Sequence, residues 1–265
     1  MVFCSQGLRG IRGLFSLVPV RVVTHGRTNP VRIPPPPHRW SVTPTQAVVI
    51  QKRLAPAIIC RGTVSKLRLV AGADLAFSTD GSECIAGVVV WDLLERQVIE
   101  QHVVRRPVCF PYVPGLLTFR ETPAVLKAIR KIGSNPDVFM FDGQGLAHPR
   151  RIGFASHTGL LIDRPSIGCA KSLLVGEFAP PGLRRGSTSP LIDGGECVGM
   201  AVRTRHRVKP VFVSIGHRVS LAEAVRITLC CFDGYRIPEP TRLADRLVAQ
   251  ARKQPANAVC DMPRP

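Results

Sequence analysis

An α/β fold built on one mixed β-sheet flanked by helices is what this sequence predicts, and three observations carry the prediction. Residues 67–105 contain three strand-like runs separated by turn signals, the pattern of a meander. Two short apolar runs follow, DVFMF at 137–141 and SIGCA at 166–170, of the kind buried on both faces of a sheet. Segments of helical periodicity alternate with those runs, which calls for helices packed on both faces. At 265 residues, 45% hydrophobic and 20% charged, the chain can bury a sizeable core.

The elements follow in order. Pro44–Ile59 has helical spacing of apolar residues, with Thr43 or Thr45 as cap. Leu67–Phe77 reads as a strand and Ser78–Ser82 as a turn; Cys84–Trp91 and Gln97–Arg105 complete the meander. Phe110–Gly115 is a loop punctuated by proline, and a helix is expected from Thr118 to Ile132. After the strand Asp137–Phe141 come a helix at Ile152–Ile162 and the strand Ser166–Ala170. Residues 180–195, rich in Gly, Pro and Ser, read as a surface loop. Cys197–Thr204 and Pro210–Ile215 form a hairpin pair, and helices close the domain at Leu221–Phe232 and Pro240–Gln250.

One composition shift divides the chain. Residues 1–43 hold six arginines, no lysine and no acid, and lead through Pro34–Pro37 to Arg39 and Trp40. Their composition predicts a disordered Arg/Pro-rich extension; a nucleic-acid-binding arm is the functional alternative, and a start assigned too far upstream would also give it. The globular domain is expected to span 44–252, with a flexible tail at 253–265. Net charge is +18, from 36 Lys+Arg against 18 Asp+Glu, which favours a polyanionic partner, nucleic acid before membrane. Nine scattered cysteines without C-x-x-C spacing suit reduced thiols in a cytoplasmic protein, not a disulfide frame or a zinc site. No apolar run approaches the ~18 residues that span a bilayer.

Several of the few acids fall where a core should be. Asp74 lies inside LVAGADLAF, mid-strand, where an unpaired charge is costly. Asp142 closes the buried run PDVFMF, Glu121 stands at the start of a helix, and Asp245 sits on the last helix. Carboxylates converging on a central strand make a hard-oxygen site suited to Mg²⁺ or Mn²⁺. Beside a basic surface, such a site points to phosphodiester hydrolysis. Each acid also has a plainer use: Glu121 can complement a helix N-terminus, and Asp245 can pair with Arg242 or Arg246.

The blocks AGADLAF, FPYVPGLLTFRE, DGQGLAHPRRIGFASH, IGCAK, GHRVS and GYRIPEPTRLAD, in that order between Thr45 and Gln250, resemble the endonuclease V family, the deoxyinosine 3′-endonucleases (deoxyribonuclease V). The resemblance implies a ribonuclease H-like fold and Mg²⁺-dependent cleavage one nucleotide 3′ of a deaminated adenine, leaving 3′-OH and 5′-phosphate ends. It implies that Asp74, Asp142 and Glu121 hold the metal, with Asp245 a candidate further group at a position that varies within the family. His148 and Lys171 match the histidine and lysine near the scissile phosphate. Pro111, Tyr112 and Pro114 match the wedge that enters the duplex; Gly143, Gly145 and Arg150 belong to the loop expected to meet the base and phosphates. His217 is expected to be structural or phosphate-adjacent. The expected partner is single- or double-stranded DNA containing deoxyinosine, bound by a monomer, with DNA repair as the role. An inosine-specific endoribonuclease and a non-catalytic nucleic-acid-binding protein are the alternatives. The 43-residue extension has no counterpart in compact bacterial forms, and Phe178–Gly195 carries no assignable motif.

Overall fold

In the computed structural model, residues 31–254 are described. Helix α1 (Pro44–Leu54) opens the domain with a capping box: Thr43 accepts from the Gln46 N–H, while the Gln46 side chain accepts from the Thr43 N–H. It is shorter than predicted. Pro56 cannot continue an α-helix, so Ala55–Ala57 forms a 3₁₀ turn instead. Strands β1 (Leu69–Phe77), β2 (Glu83–Asp92) and β3 (Gln97–Pro107) are the expected antiparallel meander. Asp80 ties the first turn, accepting from the hydroxyls of Ser78 and Ser82.

Helix α2 (Leu117–Ile129), β4 (Val138–Phe141), α3 (Phe154–Ile162) and β5 (Ser166–Ala170) follow. Then come β6 (Thr188–Asp193), β7 (Glu196–Val202), β8 (Val211–His217), α4 (Leu221–Cys230) and α5 (Glu239–Arg252). The eight strands form one sheet in the order β3-β2-β1-β4-β5-β8-β7-β6, with β4 parallel to both β1 and β5. Ala71, Ala73, Phe139 and Phe141 bury one face under α2 and α3; Val70, Met140, Ile167 and Val213 bury the other, with α4.

Two expectations are corrected. Residues 180–195 are not all surface loop, because 188–193 form the edge strand β6. Only Ser189 and Leu191 of β6 are buried, and Pro190 is tolerated because an edge strand leaves backbone donors unused on one side. Nor are residues 31–43 a disordered extension. Val31 is buried in the main core, Ile33 and Trp40 pack against it, and the His38 and His157 rings meet through their Nε2 atoms at 2.9 Å. Proline-rich backbone can bury isolated apolar side chains without helical or strand periodicity, so pattern reading passes over it. Residues 1–30 and 255–265 lie outside the described residues.

Candidate active site

Strands β1 and β4 run parallel with Ala73 opposite Phe141, so the next residues, Asp74 and Asp142, stand side by side at one end of the sheet. The Asp142 N–H donates to the Ala73 carbonyl. Helix α5 crosses the face that Asp74 shares with Gly72 and Gly87. Glycine is needed at both positions. A Cβ on Gly72 would lie 2.1 Å from the Pro240 carbonyl, and one on Gly87 would lie 2.6 Å from Val248. This close approach carries Asp245 over β1, near enough for its charge to act on both Asp74 and Asp142.

The electrostatics are those of crowded, dehydrated carboxylates. Asp74 is 8% exposed; burial first, and then the charge of Asp142, push its pKa up to about 8. Burial raises Glu121 to about 7, with Asp142 adding to the shift and Arg120 opposing it. Asp142 is raised too, mainly by burial, although Lys171 works against it. Lys171, just beyond β5, places Nζ 2.5 Å from Asp142 Oδ2 and 3.9 Å from Asp245 Oδ2. Burial would lower the Lys171 pKa, but its bond to Asp142 and the charges of Asp142, Asp74 and Asp245 hold it above the ordinary value. Among the described residues no three acidic, imidazole or thiolate side chains close around one point, and Asp142 faces Lys171. The donor set nonetheless fits a hard divalent cation: oxygen ligands only, buried, mutually repelling and relieved by added positive charge.

Tyr112 stands at the tip of the proline loop, 69% exposed. It is therefore not a core aromatic. Both feet of its loop are fixed: Phe110 is buried, its ring 5.6 Å from that of Phe119, and Leu116 is buried below the tip. The deeper anchor is the Gly115 carbonyl. It accepts from Gln51 Nε2 at 3.1 Å, His148 Nε2 at 3.0 Å and Arg150 Nη2 at 2.6 Å. Gly115 has φ +77°, and a Cβ there would meet Arg150 Nη2 at 2.8 Å.

This arrangement changes several sequence-derived expectations. His148 is buried, donates from Nε2 to Gly115 and accepts the Arg150 N–H at Nδ1, so both ring nitrogens are spent inside the protein. Burial lowers its pKa to about 4, with Arg150 adding to the shift, which fixes it as neutral imidazole near pH 7. Arg150, expected at the substrate, is also turned inward, to Gln51 Oε1 and Gly115. The Gly145 N–H donates to Ser214 Oγ, and a Cβ on Gly145 would lie 2.0 Å from the Ile215 carbonyl oxygen, so the close approach this glycine permits is to β8. Gly143 is only partly buried, against Phe154. His217 accepts the Ile59 N–H at Nδ1 and faces Asp163 through Nε2, a structural role. Two residues escape the sequence reading. Gln51 was legible as a polar residue one turn after the buried Ala47 on α1, and Arg236 lay within the last motif block. Arg236 donates to the carbonyls of Lys171, Lys209 and Pro210, fixing the backbone that presents Lys171.

Comparison with known proteins bears on the family and the fold. A family model described as Endonuclease V matches residues 52–246. The endonuclease V of Nostoc punctiforme is 48% identical over 213 residues, covering 80% of this chain and 96% of its own. That of Methanothrix thermoacetophila is 53% identical over 207 residues, covering 78% and 91%. Among solved structures, Streptomyces avermitilis endonuclease V superposes with a TM-score of 0.78 at 42% identity, covering 85% of this chain and 98% of that one. Endonuclease V of Ciona intestinalis, solved with a 24mer DNA containing an inosine followed by a ribo-adenosine, gives 0.70 at 28% identity, covering 79% and 97%. Motif order, sheet topology and extent of match converge on one conclusion: this chain belongs to the endonuclease V family, has its ribonuclease H-like fold, and is a metal-dependent nuclease.

Proposed function

We propose that the protein cleaves DNA one nucleotide 3′ of deoxyinosine, with Mg²⁺ as its metal and Mn²⁺ as a substitute. The observation that carries this reading is the pairing of Asp74, inside β1, with Asp142, just past the end of β4, with Lys171 on Asp142 and Tyr112 exposed on an anchored loop. Asp74, Asp142 and Glu121 would hold the ion, and Asp245, whose charge reaches Asp74 and Asp142, is the candidate further group. When bound, the metal supplies Lewis acidity, lowering the pKa of water and neutralising phosphate charge. Hydrolysis breaks the P–O3′ bond: the water oxygen ends on the 5′-phosphate and a proton on the 3′-oxygen.

The protein's own groups then have distinct tasks. Lys171, cationic and set beside Asp142, meets the charge that develops on the phosphoryl oxygens. Tyr112 replaces the stacking lost when the modified base leaves the helix. His148, Arg150 and Gln51 hold the foot of the Tyr112 loop through Gly115, so they position rather than react.

A second reading, cleavage of inosine-containing RNA, is favoured by one observation. The Ciona relative was solved on DNA whose inosine is followed by a ribo-adenosine. The test uses matched DNA and RNA oligonucleotides, each with one inosine, in Mg²⁺ and in EDTA. Cleavage of DNA one nucleotide 3′ of inosine, abolished by EDTA, is expected. Cleavage of RNA alone would transfer the assignment to an endoribonuclease, and cleavage indifferent to EDTA would overturn the metal assignment.

A further inference from the structure

The long segment after β5 carries no family motif, yet it ends in a basic surface beside the acidic site. Strand β8 is antiparallel to β5 with Ala170 opposite Phe212, and β7 is antiparallel to β8 with Val202 opposite Val211. Thr188, which opens β6, lies opposite Val202. Asp74, where the β1–β4 pairing ends, and Asp142 and Lys171, just past the ends of β4 and β5, therefore lie toward the same end of the sheet as the 181–187 and 203–210 loops. Exposed at that end are Arg184, Arg205, Arg207 and Lys209. Among the described residues none of these four forms an ion pair. The acids of the β6–β7 hairpin, Asp193 and Glu196, lie at its other end and are paired with Arg151.

The two loops are built as one piece. Arg203 is 7% exposed and spends its guanidinium on the carbonyls of Pro181, Gly182 and Val208, one loop on each side. Backbone bonds from Gly186 to Arg203 and from Arg207 to Leu183 close the seam. Arg236 joins this unit to the active site, donating to Lys209, Pro210 and Lys171 carbonyls. A cationic surface fixed in advance loses little order on binding, which suits a regular polyanion.

Resting on the proposed nuclease activity, we infer that Arg184, Arg205, Arg207 and Lys209 form an extended phosphate track that holds one flank of the nucleic acid beyond the scissile bond. Counted from β4, strands β8, β7 and β6 are two, three and four places away, about 10, 14 and 19 Å at ~4.8 Å per strand. At ~3.4 Å of axial rise per nucleotide, the track faces the third to sixth phosphates from the cut. Such contacts read backbone, not sequence, so they raise affinity for damaged and intact DNA alike.

The test is the salt dependence of binding by the full chain, measured in EDTA on inosine-free duplexes of about 30 base pairs. Arg184→Gln/Arg205→Gln/Arg207→Gln is compared with Lys127→Gln/Arg130→Gln/Lys131→Gln, exposed cations in and just after the last turn of α2, toward the opposite end of the sheet. Each removes three charges. The first set is expected to reduce the slope of log K against log salt by about 2.7, ~0.9 for each phosphate that is no longer neutralised. The control set should leave it nearly unchanged. In inosine-centred duplexes, trimming one flank to two base pairs should weaken the parent but not the track variant; trimming the other flank should weaken both. An unchanged slope, or equal losses from both sets, overturns the track. If the triple variant melts below the parent, Arg205→Gln and Arg207→Gln are measured singly, each expected to lower the slope by about 0.9. Because the slope is read on inosine-free DNA, failure to cleave at inosine would sink the proposed activity and leave this inference standing.

Discussion

Asp74 is held where its charge is least welcome, and that cost has a measurable consequence. Its folded pKa of about 8 lies far above the unfolded value near 3.8, so the folded chain binds the extra proton between those limits. Stability therefore falls as pH rises from about 4 to 8. In EDTA the melting temperature should drop over that window, and Mg²⁺ should restore it at pH 8. Asp74→Asn removes the charge; at pH 8 in EDTA it should melt about 3 °C or more above the parent, since ~1 kcal/mol moves a domain of this size by ~2–4 °C. A variant that melts no higher would show that Asp74 is not under electrostatic strain. Asp142→Ala should abolish cleavage while DNA binding holds or strengthens, because a carboxylate near phosphates opposes them. Near-normal turnover in Mg²⁺ would remove Asp142 from the metal site. Tyr112→Ala should leave the melting temperature unchanged, as the ring is exposed, yet weaken inosine binding about 10- to 100-fold, from the ~1–3 kcal/mol of a stacked base. Equal weakening on intact and inosine-containing duplexes would end the wedge role.

The loop after β3 and the loop after β4 act together, because the Gly115 carbonyl binds them through His148, Arg150 and Gln51. Gly115→Ala adds a methyl 2.8 Å from Arg150 Nη2 at a strained backbone φ of +77°, so the Arg150 guanidinium must shift and the knot is weakened. The expected result is a rise in KM for inosine-containing duplex several-fold larger than any fall in kcat, since none of the groups bonded to the Gly115 carbonyl is a metal ligand or Lys171. A fall in kcat alone would mean that the knot supports the chemistry directly. The sequence revealed these loops but not their connection. Buried runs such as VFMF and the turn at Asp80 are local signals, and the acids stood out because a charge in an apolar strand has few uses. Gln51 and Gly115 are 64 positions apart, and no local period encodes such a pairing. β6 was hidden for a related reason, as only two of its six residues are buried and a proline sits among them.

At the scale of the whole molecule, residues 31–43 pack onto the core. Trp40 and His38 lie on Phe119 and on His157, which is fully buried, with its pKa lowered to about 3 chiefly by burial. Two chains test this packing, one beginning at Val31 and one at Pro44. Removing 31–43 uncovers Phe119 and His157 and discards the burial of Val31 and Trp40, at ~1.5–3 kcal/mol for each large apolar side chain as an upper estimate. The shorter chain should melt about 5–15 °C below the longer. Its acid response should change as well. A histidine whose folded pKa is depressed favours folding above the unfolded value near 6.5, and that contribution is lost as pH falls toward 3. With His157 uncovered its pKa returns toward 6.5, so the melting temperature of the shorter chain should decline less steeply between pH 6.5 and 4. Equal melting temperatures and parallel acid profiles would return residues 31–43 to the status of a dispensable extension. A lower melting temperature with an unchanged acid profile would keep the packing of Val31 and Trp40 but detach His157 from it.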